Sequence, residues 1–301
     1  MHSRKREFFV MLDIGGTSIK AALLDKDCKV VANSFSITTI DSNGMSEQVI
    51  NNIISIVKET YCTAAKIGNI SGIGICFPEF SDYQKGTIAV IKEKFRNSAG
   101  ISLRDEIIKR LGLFSTFPFV FEEDSIAFLK GASRNSKAKT FNRIIGITLG
   151  TGLGSAYMEH GKIVRNAPGV PLNGELGYLP FKKGIIEDII SSRGLLRIYV
   201  RYSGNLENNA MEIALRAKKG DASAIRAFEK FGTVMGQILK RYIEDFGAEC
   251  IILGGQIAKS YELFAMPLKN ELTGIASLKK IIQPDDIDFC PFYGLFTMFD
   301  R

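Results

Sequence analysis

One short turn contains most of the residues in this sequence that could bind a phosphate. The segment DIGGTSIK combines an acid (Asp13), two adjacent glycines (Gly15 and Gly16), a hydroxyl (Thr17) and a cation (Lys20). Glycine can adopt positive φ and has no side chain, so consecutive N–H groups in such a turn can point at a phosphate. Asp13 would repel a phosphate directly, and its expected role is to hold Mg²⁺ against the phosphate chain through water. Taken alone, the turn could also simply close a hairpin.

Two further glycine turns, LGTGLG and IILGGQIAKS, also indicate a nucleotide-binding site. Their candidate residues are Gly150, Thr151, Gly152, Gly254, Gly255 and Gln256. LGTGLG offers a second set of amides and a hydroxyl, and the third turn leads from a strand into a helix, which suits the base and ribose of a nucleotide. DIGGTSIK is neither a Walker loop nor a dinucleotide fingerprint, because those lead into a helix and this turn leads into another strand.

Asp124 is the candidate general base. It follows the predicted strand FPFVF, at the carboxyl end where open α/β sheets bind their ligands. A carboxylate there can orient a hydroxyl and accept its proton during phosphoryl transfer. The alternative is an acidic cap at the start of the next helix. Only His2 and His160 occur, so a Ser-His-Asp triad, a multi-histidine metal site and a histidine phosphocarrier are disfavoured.

Composition limits the location and the partners. The 301 residues are 46% apolar and 24% charged, as expected for a globular protein long enough for two domains. The net charge of +7 comes from scattered residues, and the one dense basic run, SRKRE, is interpreted as a frayed end. The five cysteines are far apart without CxxC spacing, and no apolar run approaches the ~20 residues of a membrane span. We therefore expect a cytoplasmic protein that binds neither nucleic acid nor membrane.

Hydrophobic patterning places the candidate residues at the ends of strands. EFFVMLDIGG and SIKAALLD are predicted as a strand pair, KVVANSFSIT as a third strand, and ISGIGICFP as a buried strand. RIIGITLGTGLGSAYMEHGKIV repeats the order strand, glycine turn, strand, and GIIEDIISSRGLLRIYVRYS is predicted as a helix. The pattern predicts an α/β protein of two lobes, residues 1–121 and 122–288, with residues 289–301 packing back on the first.

Five segments resemble the successive motifs of the ROK family of sugar kinases and repressors: DIGGTSIK, EEDSIAFLKG, LGTGLG, NGELGY and IILGGQIA, within roughly residues 7–298. The resemblance implies the two-lobed, ribonuclease H-like fold of actin-like ATPases, with ATP and a sugar bound between the lobes, and a homodimer. It implies transfer of the γ-phosphoryl group of ATP, with Mg²⁺, to a sugar hydroxyl, commonly the 6-hydroxyl of a hexose. Asp124 corresponds to the catalytic aspartate. Glu175 and Glu187 correspond to sugar-binding glutamates, with ordinary solvated acids as the alternative for both.

Four departures from the family pattern fall on the sugar side. Glu123 replaces the asparagine before the catalytic aspartate, Tyr178 replaces a histidine, Glu79 replaces the glycine after Pro78, and LPFKKGIIED lacks the cysteines and histidines of the zinc motif. Glu123 is expected to repel Asp124 and raise one pKa unless a cation lies near. These substitutions predict no zinc and an altered sugar pocket. The similarity to a β-glucoside kinase subgroup makes a disaccharide or glycoside a candidate acceptor.

Two other functions remain open at this point. Repressors of the family carry an N-terminal helix-turn-helix domain, and the roughly six residues before the first strand are too few for one. A non-catalytic sugar sensor is compatible with the altered pocket. Release of ADP on addition of a sugar distinguishes a kinase from a sensor.

Overall fold

The computed structural model describes residues 6–91, 94–135 and 137–299, so most of the basic run SRKRE lies outside the described residues. The chain divides into two compact units. Unit 1 contains the residues up to Gly131 and those from Phe289 onward, and unit 2 contains Ala132–Asp288. None of the helices in these described ranges combines the length and apolar character that crossing a bilayer requires.

The strands are β1 (Glu7–Ile14), β2 (Ser18–Asp25), β3 (Ser36–Thr39), β4 (Asn69–Phe77), β5 (Phe80–Asp82), β6 (Thr87–Ile88), β7 (Phe119–Glu123), β8 (Arg143–Leu149), β9 (Leu153–Glu159), β10 (Lys162–Val164), β11 (Pro180–Phe181), β12 (Gly184–Ile185), β13 (Cys250–Gly254) and β14 (Lys280–Ile282). The α-helices are α1 (Ser46–Ile67), α2 (Leu103–Leu111), α3 (Asp124–Asn135), α4 (Ser192–Ser203), α5 (Ala210–Lys218), α6 (Ala222–Phe246), α7 (Gly255–Ala258), α8 (Ala265–Leu272) and α9 (Cys290–Phe296).

The sheet of unit 1 has the order β3-β2-β1-β4-β7, in which β1, β4 and β7 are parallel neighbours and β2 pairs antiparallel with both β1 and β3. Alternate residues of β1 enter different cores. Val10 and Leu12 pack in the cluster that contains residues of α1, whereas Phe9 and Met11 pack in the cluster that contains α9. Because both faces of β1 are covered, its sequence is a continuous apolar run rather than an alternating one.

Helices α3 and α9 approach each other through glycines. A Cβ at Gly131 would overlap the carbonyl oxygen of Cys290, and a Cβ at Gly294 would overlap that of Ala127. This close contact ties the start of α3 to unit 1. The division between the units therefore falls after Gly131, in place of the boundary after residue 121 that the sequence predicted.

The sheet of unit 2 has the order β10-β9-β8-β13-β14. β8, β9 and β10 are antiparallel neighbours, and β8, β13 and β14 are parallel. This is the topology of the unit 1 sheet, so the repeat read from the sequence corresponds to a repeated sheet. Its core is built mainly with α6, whose buried side chains include Phe228, Phe231 and Met235.

Two predicted elements are wrong in extent. The predicted helix GIIEDIISSRGLLRIYVRYS is helical only from Ser192, because its first residues form β12 and a 3₁₀ turn in which the Asp188 carboxylate accepts the N–H of Ile185. The predicted strand KVVANSFSIT is a strand only from Ser36. Before it, Asn33 has φ of 61° and the Ser34 hydroxyl donates to Val31, which forms a turn.

Candidate active site

The carboxyl ends of three parallel strands meet at one edge of the unit 1 sheet. In the register, Asp13 on β1 lies beside Cys76 on β4, and Phe77 on β4 lies beside Glu123 on β7. Asp124 follows at once as the first residue of α3. Parallel strands end at the same edge of a sheet, so this register brings together carboxylates from distant parts of the sequence.

The DIGGTSIK turn joins β1 to β2. The Gly15 N–H donates to Ser18 at 2.9 Å and is used inside the turn. Neither Gly15 nor Gly16 has a positive φ, which corrects the conformational part of the prediction. A Cβ at Gly16 would lie 2.9 Å from Cδ of Lys94, so the Lys94 side chain would have to shift to admit one. The amides of Gly16 and Thr17 are the ones that this turn can offer to a phosphate.

Asp13 is held by two neighbours. Its Oδ2 pairs with Nζ of Lys20 across the hairpin at 3.3 Å, and both side chains are mostly buried, with exposed fractions of 15% and 13%. The Cys76 thiol donates to Oδ1 at 3.5 Å. Burial raises the pKa of Cys76, and the negative charge of Asp13 adds to the effect, so this thiol stays protonated and remains a donor. The Asp13 carboxylate is therefore oriented from both sides.

The half-buried Asp124 lies in an environment that favours the protonated form more than water does, so its pKa is raised. Desolvation raises the pKa of its carboxyl most, and the charge of Asp13 raises it further. Lys94, the Ser125 backbone N–H and Lys20 act in the opposite direction. The carboxylate that raises this pKa most is thus Asp13, not Glu123 as the sequence analysis expected.

Hydrogen bonds fix the junction between β7 and α3. Oε1 of Glu123 accepts the hydroxyl of Ser125 at 2.7 Å, and the Glu123 N–H donates to the carboxylate of Glu122 at 3.1 Å. Glu122 is buried and pairs with Nζ of Lys130 at 2.7 Å. The bond to Ser125 holds the Glu123 carboxylate at the first turn of α3, and Glu123 is not the main charge acting on Asp124.

Pro78 and Glu79 follow β4 at the same edge of the sheet. Pro78 is half-buried and Glu79 is exposed. Because β4 lies between β1 and β7, this loop starts beside the carboxylates of Asp13 and Glu123.

In unit 2 the other two glycine turns lie side by side. Gly150, Thr151 and Gly152 connect β8 to β9, with the Gly150 N–H donating to Gly152 at 3.0 Å. Gly254 pairs with Thr148 at the end of β8. Gly255 has φ of 81°, and a Cβ there would overlap the carbonyl oxygen of Leu149, so glycine is required on two grounds. The amide of Gln256 donates to Asp288 at 3.1 Å, and Asp288 also pairs with Lys259.

Glu175 follows a tight turn that a buried serine fastens to β9. The Ser155 hydroxyl donates to the Gly174 carbonyl at 2.6 Å and accepts the Leu176 N–H at 2.8 Å. Asn173 and Gly174 both have positive φ. Glu175 itself is half-buried, and Tyr178 is 60% exposed, so its ring is open to a ligand from solvent.

Both carboxylate oxygens of Glu187 are engaged by unit 2 itself. Oε2 accepts the N–H of Leu153 at 2.8 Å, and Oε1 pairs with Arg193 at 2.8 Å. The residue lies in a 3₁₀ turn and its side chain is only 13% exposed, so the alternative of a solvated acid on an amphipathic helix is wrong. Glu187 fastens the turn between β8 and β9.

Three residues of this region could not be predicted from the sequence: Cys76, Lys94 and Arg193. Lys94 lies in the segment IKEKFRN, in which a lysine is indistinguishable from a solvated one by its neighbours. Cys76 resembles any buried cysteine in an apolar strand. The position of Cys76 beside Asp13 is evident only from the pairing of β4 with β1, and that of Lys94 only from its contact with Gly16.

Comparisons with known proteins point to one family. The ROK family matches residues 9–287 of the chain. A glucokinase of Thermotoga maritima is 23% identical over 284 residues, which cover 87% of this chain and 86% of that enzyme. An N-acetyl-D-glucosamine kinase of Aliivibrio salmonicida is 23% identical over 294 residues, which cover 90% and 92%.

A solved structure shows the same fold. The crystal structure of a ROK family glucokinase from Streptomyces griseus, in complex with glucose and AMPPNP, aligns with a TM-score of 0.78 and 21% identity, over 97% of this chain and 98% of that one. The actin-like fold class predicted from the sequence is confirmed. Since the family match spans nearly the whole sequence, the chain belongs to the ROK family.

Proposed function

We propose that this chain is an ATP-dependent sugar kinase that transfers the γ-phosphoryl group to the 6-hydroxyl of a hexose or hexose derivative. The observation that carries the proposal is the carboxyl edge of the unit 1 sheet, where Asp124 lies near Asp13 and Lys20 beside the Gly16 turn. The two kinase relatives and the glucokinase complex with glucose and AMPPNP support it. From family membership we also propose a homodimer.

Asp124 is the proposed base. Its carboxyl accepts the proton of the sugar hydroxyl as that oxygen attacks the γ-phosphorus, and the bond from phosphorus to the ADP oxygen breaks. Burial makes the carboxylate more basic than an ordinary aspartate, because it raises the pKa. Lys20 and the amides of Gly16 and Thr17 bind phosphate oxygens.

The carboxylates of unit 1 fit a divalent cation. Asp13 and Asp124 are close enough that the charge of one raises the pKa of the other, a repulsion that a cation between them would relieve. Oxygen donors are those that Mg²⁺ prefers. Asp13 would hold the ion through water, and the ion would neutralise phosphate charge when bound.

In unit 2 we propose a division of roles. The turns Gly150–Gly152 and Gly254–Gln256 bind the nucleotide, and Glu175 and Tyr178 bind the sugar. Glu187 acts by holding the first of these turns through the amide of Leu153, since both of its oxygens are already engaged. In unit 1, Glu123, Pro78 and Glu79 contact the acceptor.

A coupled ADP-release screen over hexoses, amino sugars and β-glucosides tests the proposal. Sugar-dependent ADP formation at a rate well above the hydrolysis of ATP alone is the expected result. Binding of a sugar without any ADP release across the screen would instead favour the non-catalytic sugar sensor.

Activity is expected to require Mg²⁺ and no zinc. Removal of divalent ions with EDTA should abolish ADP release, and added Mg²⁺ should restore it. No group of three or more His, Cys, Asp or Glu among the described residues could hold a metal ion by itself. Because LPFKKGIIED lacks the cysteines and histidines of the family's zinc motif, elemental analysis should find no stoichiometric zinc, and one zinc per chain would contradict the prediction.

The acceptor is expected to be larger than glucose. Tyr178 presents a flat, exposed ring on which a sugar or aglycone can stack, and the usual zinc motif is absent from the sequence next to it. We predict a higher kcat/KM for a β-glucoside or substituted hexose than for glucose. Tyr178→Ala should reduce this preference, and Tyr202→Ala, at another exposed tyrosine of unit 2, serves as the control. Efficient glucose phosphorylation without turnover of glycosides or amino sugars would refute the prediction.

A further inference from the structure

A lysine outside every glycine motif lies directly against the first glycine turn. Three carbons of the Lys94 side chain, Cδ, Cε and Cγ, lie 2.9, 3.1 and 3.3 Å from the point that a Cβ on Gly16 would occupy. The stem of Lys94 therefore crosses the bare face of Gly16. The residue is half-buried, unlike a lysine whose side chain extends into water.

The backbone next to Lys94 fixes this direction. Phe95 has φ of 54° and ψ of 23°, a left-handed conformation that aromatic residues rarely adopt. Its ring is fully buried with its centroid 4.4 Å from that of Phe77, and its N–H donates to Ser42 at 3.0 Å. Such a conformation persists only where the surroundings enforce it, and it is found most often at functional sites. Burial of Phe95 thus anchors Lys94 over the turn.

Charged groups from three parts of the chain affect the pKa of Asp124. They are Asp13 on β1, Lys20 on β2 and Lys94, which precedes Phe95 in the segment after β6. Of the two lysines, Lys94 has the larger effect on Asp124. Lys20 is already paired with Asp13. Among the described residues, Lys94 is therefore the lysine that lowers the pKa of Asp124 most.

We propose that Lys94 is a positioning residue of the phosphoryl-transfer site, which places a positive charge between the Gly16 turn and Asp124. In its catalytic part, the inference rests on the proposed function. In that reaction the ammonium group of Lys94 balances the charge of Asp124 and aligns the Asp124 carboxylate for the incoming sugar hydroxyl. Fixed charges placed in this way act in the transition state without reorganisation, and removal of one typically costs 10²–10³-fold in kcat.

Kinetics of three variants test the catalytic part. Lys94→Met keeps a flexible apolar stem over Gly16 and removes the charge, and we expect kcat to fall about 100-fold with the sugar KM changed less than about threefold. Lys94→Arg should recover most of the loss because it restores the charge. Lys58→Met removes an exposed lysine on α1 and should leave kcat unchanged.

A double-mutant cycle in unfolding equilibria tests the placement without any activity. In the wild-type background, Lys94→Met should increase the unfolding equilibrium constant. In the Asp124→Asn background, the factor by which Lys94→Met changes that constant should be at least about threefold smaller, because the amide has no charge for the lysine to balance. An additive cycle, or a Lys94→Met variant with wild-type kcat, would overturn the proposal. A coupled cycle supports it even if no sugar releases ADP, a result that would count against the proposed function alone.

Discussion

Asp124→Asn is expected to lower kcat by at least about 100-fold while ATP still binds. The amide has the shape of the carboxylate but cannot accept the hydroxyl proton, and general-base catalysis typically supplies 10²–10⁴-fold. ADP release with the best acceptor from the screen gives kcat, and calorimetric titration of the variant with ATP checks binding. Near-wild-type turnover would remove Asp124 from the role of base.

The matched control is Asp105→Asn. Asp105 is an exposed aspartate in the first turn of α2, as Asp124 is in the first turn of α3. An acid in the first turn of a helix contributes about 0.3–1 kcal/mol through the helix dipole. If Asp124 were only a cap, the two substitutions would have the same small cost in stability and neither would affect kcat.

Asp124→Asn is also expected to stabilise the folded protein at neutral pH. Since burial raises the folded-state pKa of Asp124, the native state binds more protons than the unfolded state between the ordinary aspartate pKa of about 4 and the raised value. The stability contributed by this group therefore falls as pH rises through that window. Urea unfolding should show Asp124→Asn to be more stable than the wild type at pH 7, with the advantage fading as pH falls toward 4. An Asp124→Asn variant that is less stable than the wild type at pH 7 would contradict the predicted direction of the change.

Gly131→Ala is expected to destabilise the protein by about 2 kcal/mol or more. The new Cβ would overlap the Cys290 carbonyl and lie 2.8 Å from the Gly294 nitrogen, so α3 and α9 would have to separate along their backbones. Overpacking costs about 1–3 kcal/mol even where side chains can yield, whereas alanine regains only about 1 kcal/mol of helix propensity. Urea unfolding measures the difference.

Gly150→Ala is the control for stability. A Cβ at Gly150 would have no neighbour within 4 Å, and the φ of Gly150 is not positive. The unfolding free energy of Gly150→Ala should therefore match that of the wild type. Equal stabilities of Gly131→Ala and the wild type would show that α3 and α9 do not approach as closely as described. Because α3 begins with Asp124, loss of this contact should also lower kcat.

Local signals in the sequence predicted much of the fold. EFFVMLDIGG is predicted as a strand and forms β1, and ISGIGICFP is predicted as a buried strand and forms β4. The three glycine turns are predicted next to strands, and they lie at the ends of β1, β8 and β13. In these cases the residues that determine the conformation are adjacent in the chain, so the pattern suffices.

Contacts between distant residues account for what the sequence could not predict. One partner of Glu187 is the amide of Leu153, which any residue could supply, so no side-chain type signals that contact. The left-handed Phe95 depends on packing against Phe77, and propensity opposes it. The division within α3, after Gly131, depends on glycines that are separated in sequence by more than a hundred residues.

The chain leaves unit 1 after Gly131 and returns to it at Phe289, and this order constrains folding during synthesis. All seven residues of α9 are buried, and they cover the face of the sheet that carries Phe9 and Met11. On the ribosome, residues 132–288 emerge as one continuous stretch while that face of the earlier sheet still lacks α9. Such a face is an aggregation hazard that chaperones recognise. The sheet that carries Asp13, and the helix α3 that begins with Asp124, thus gain their contacts with α9 only when residues 289–299 emerge, so stalled chains would be exposed to quality control before they could act on a substrate.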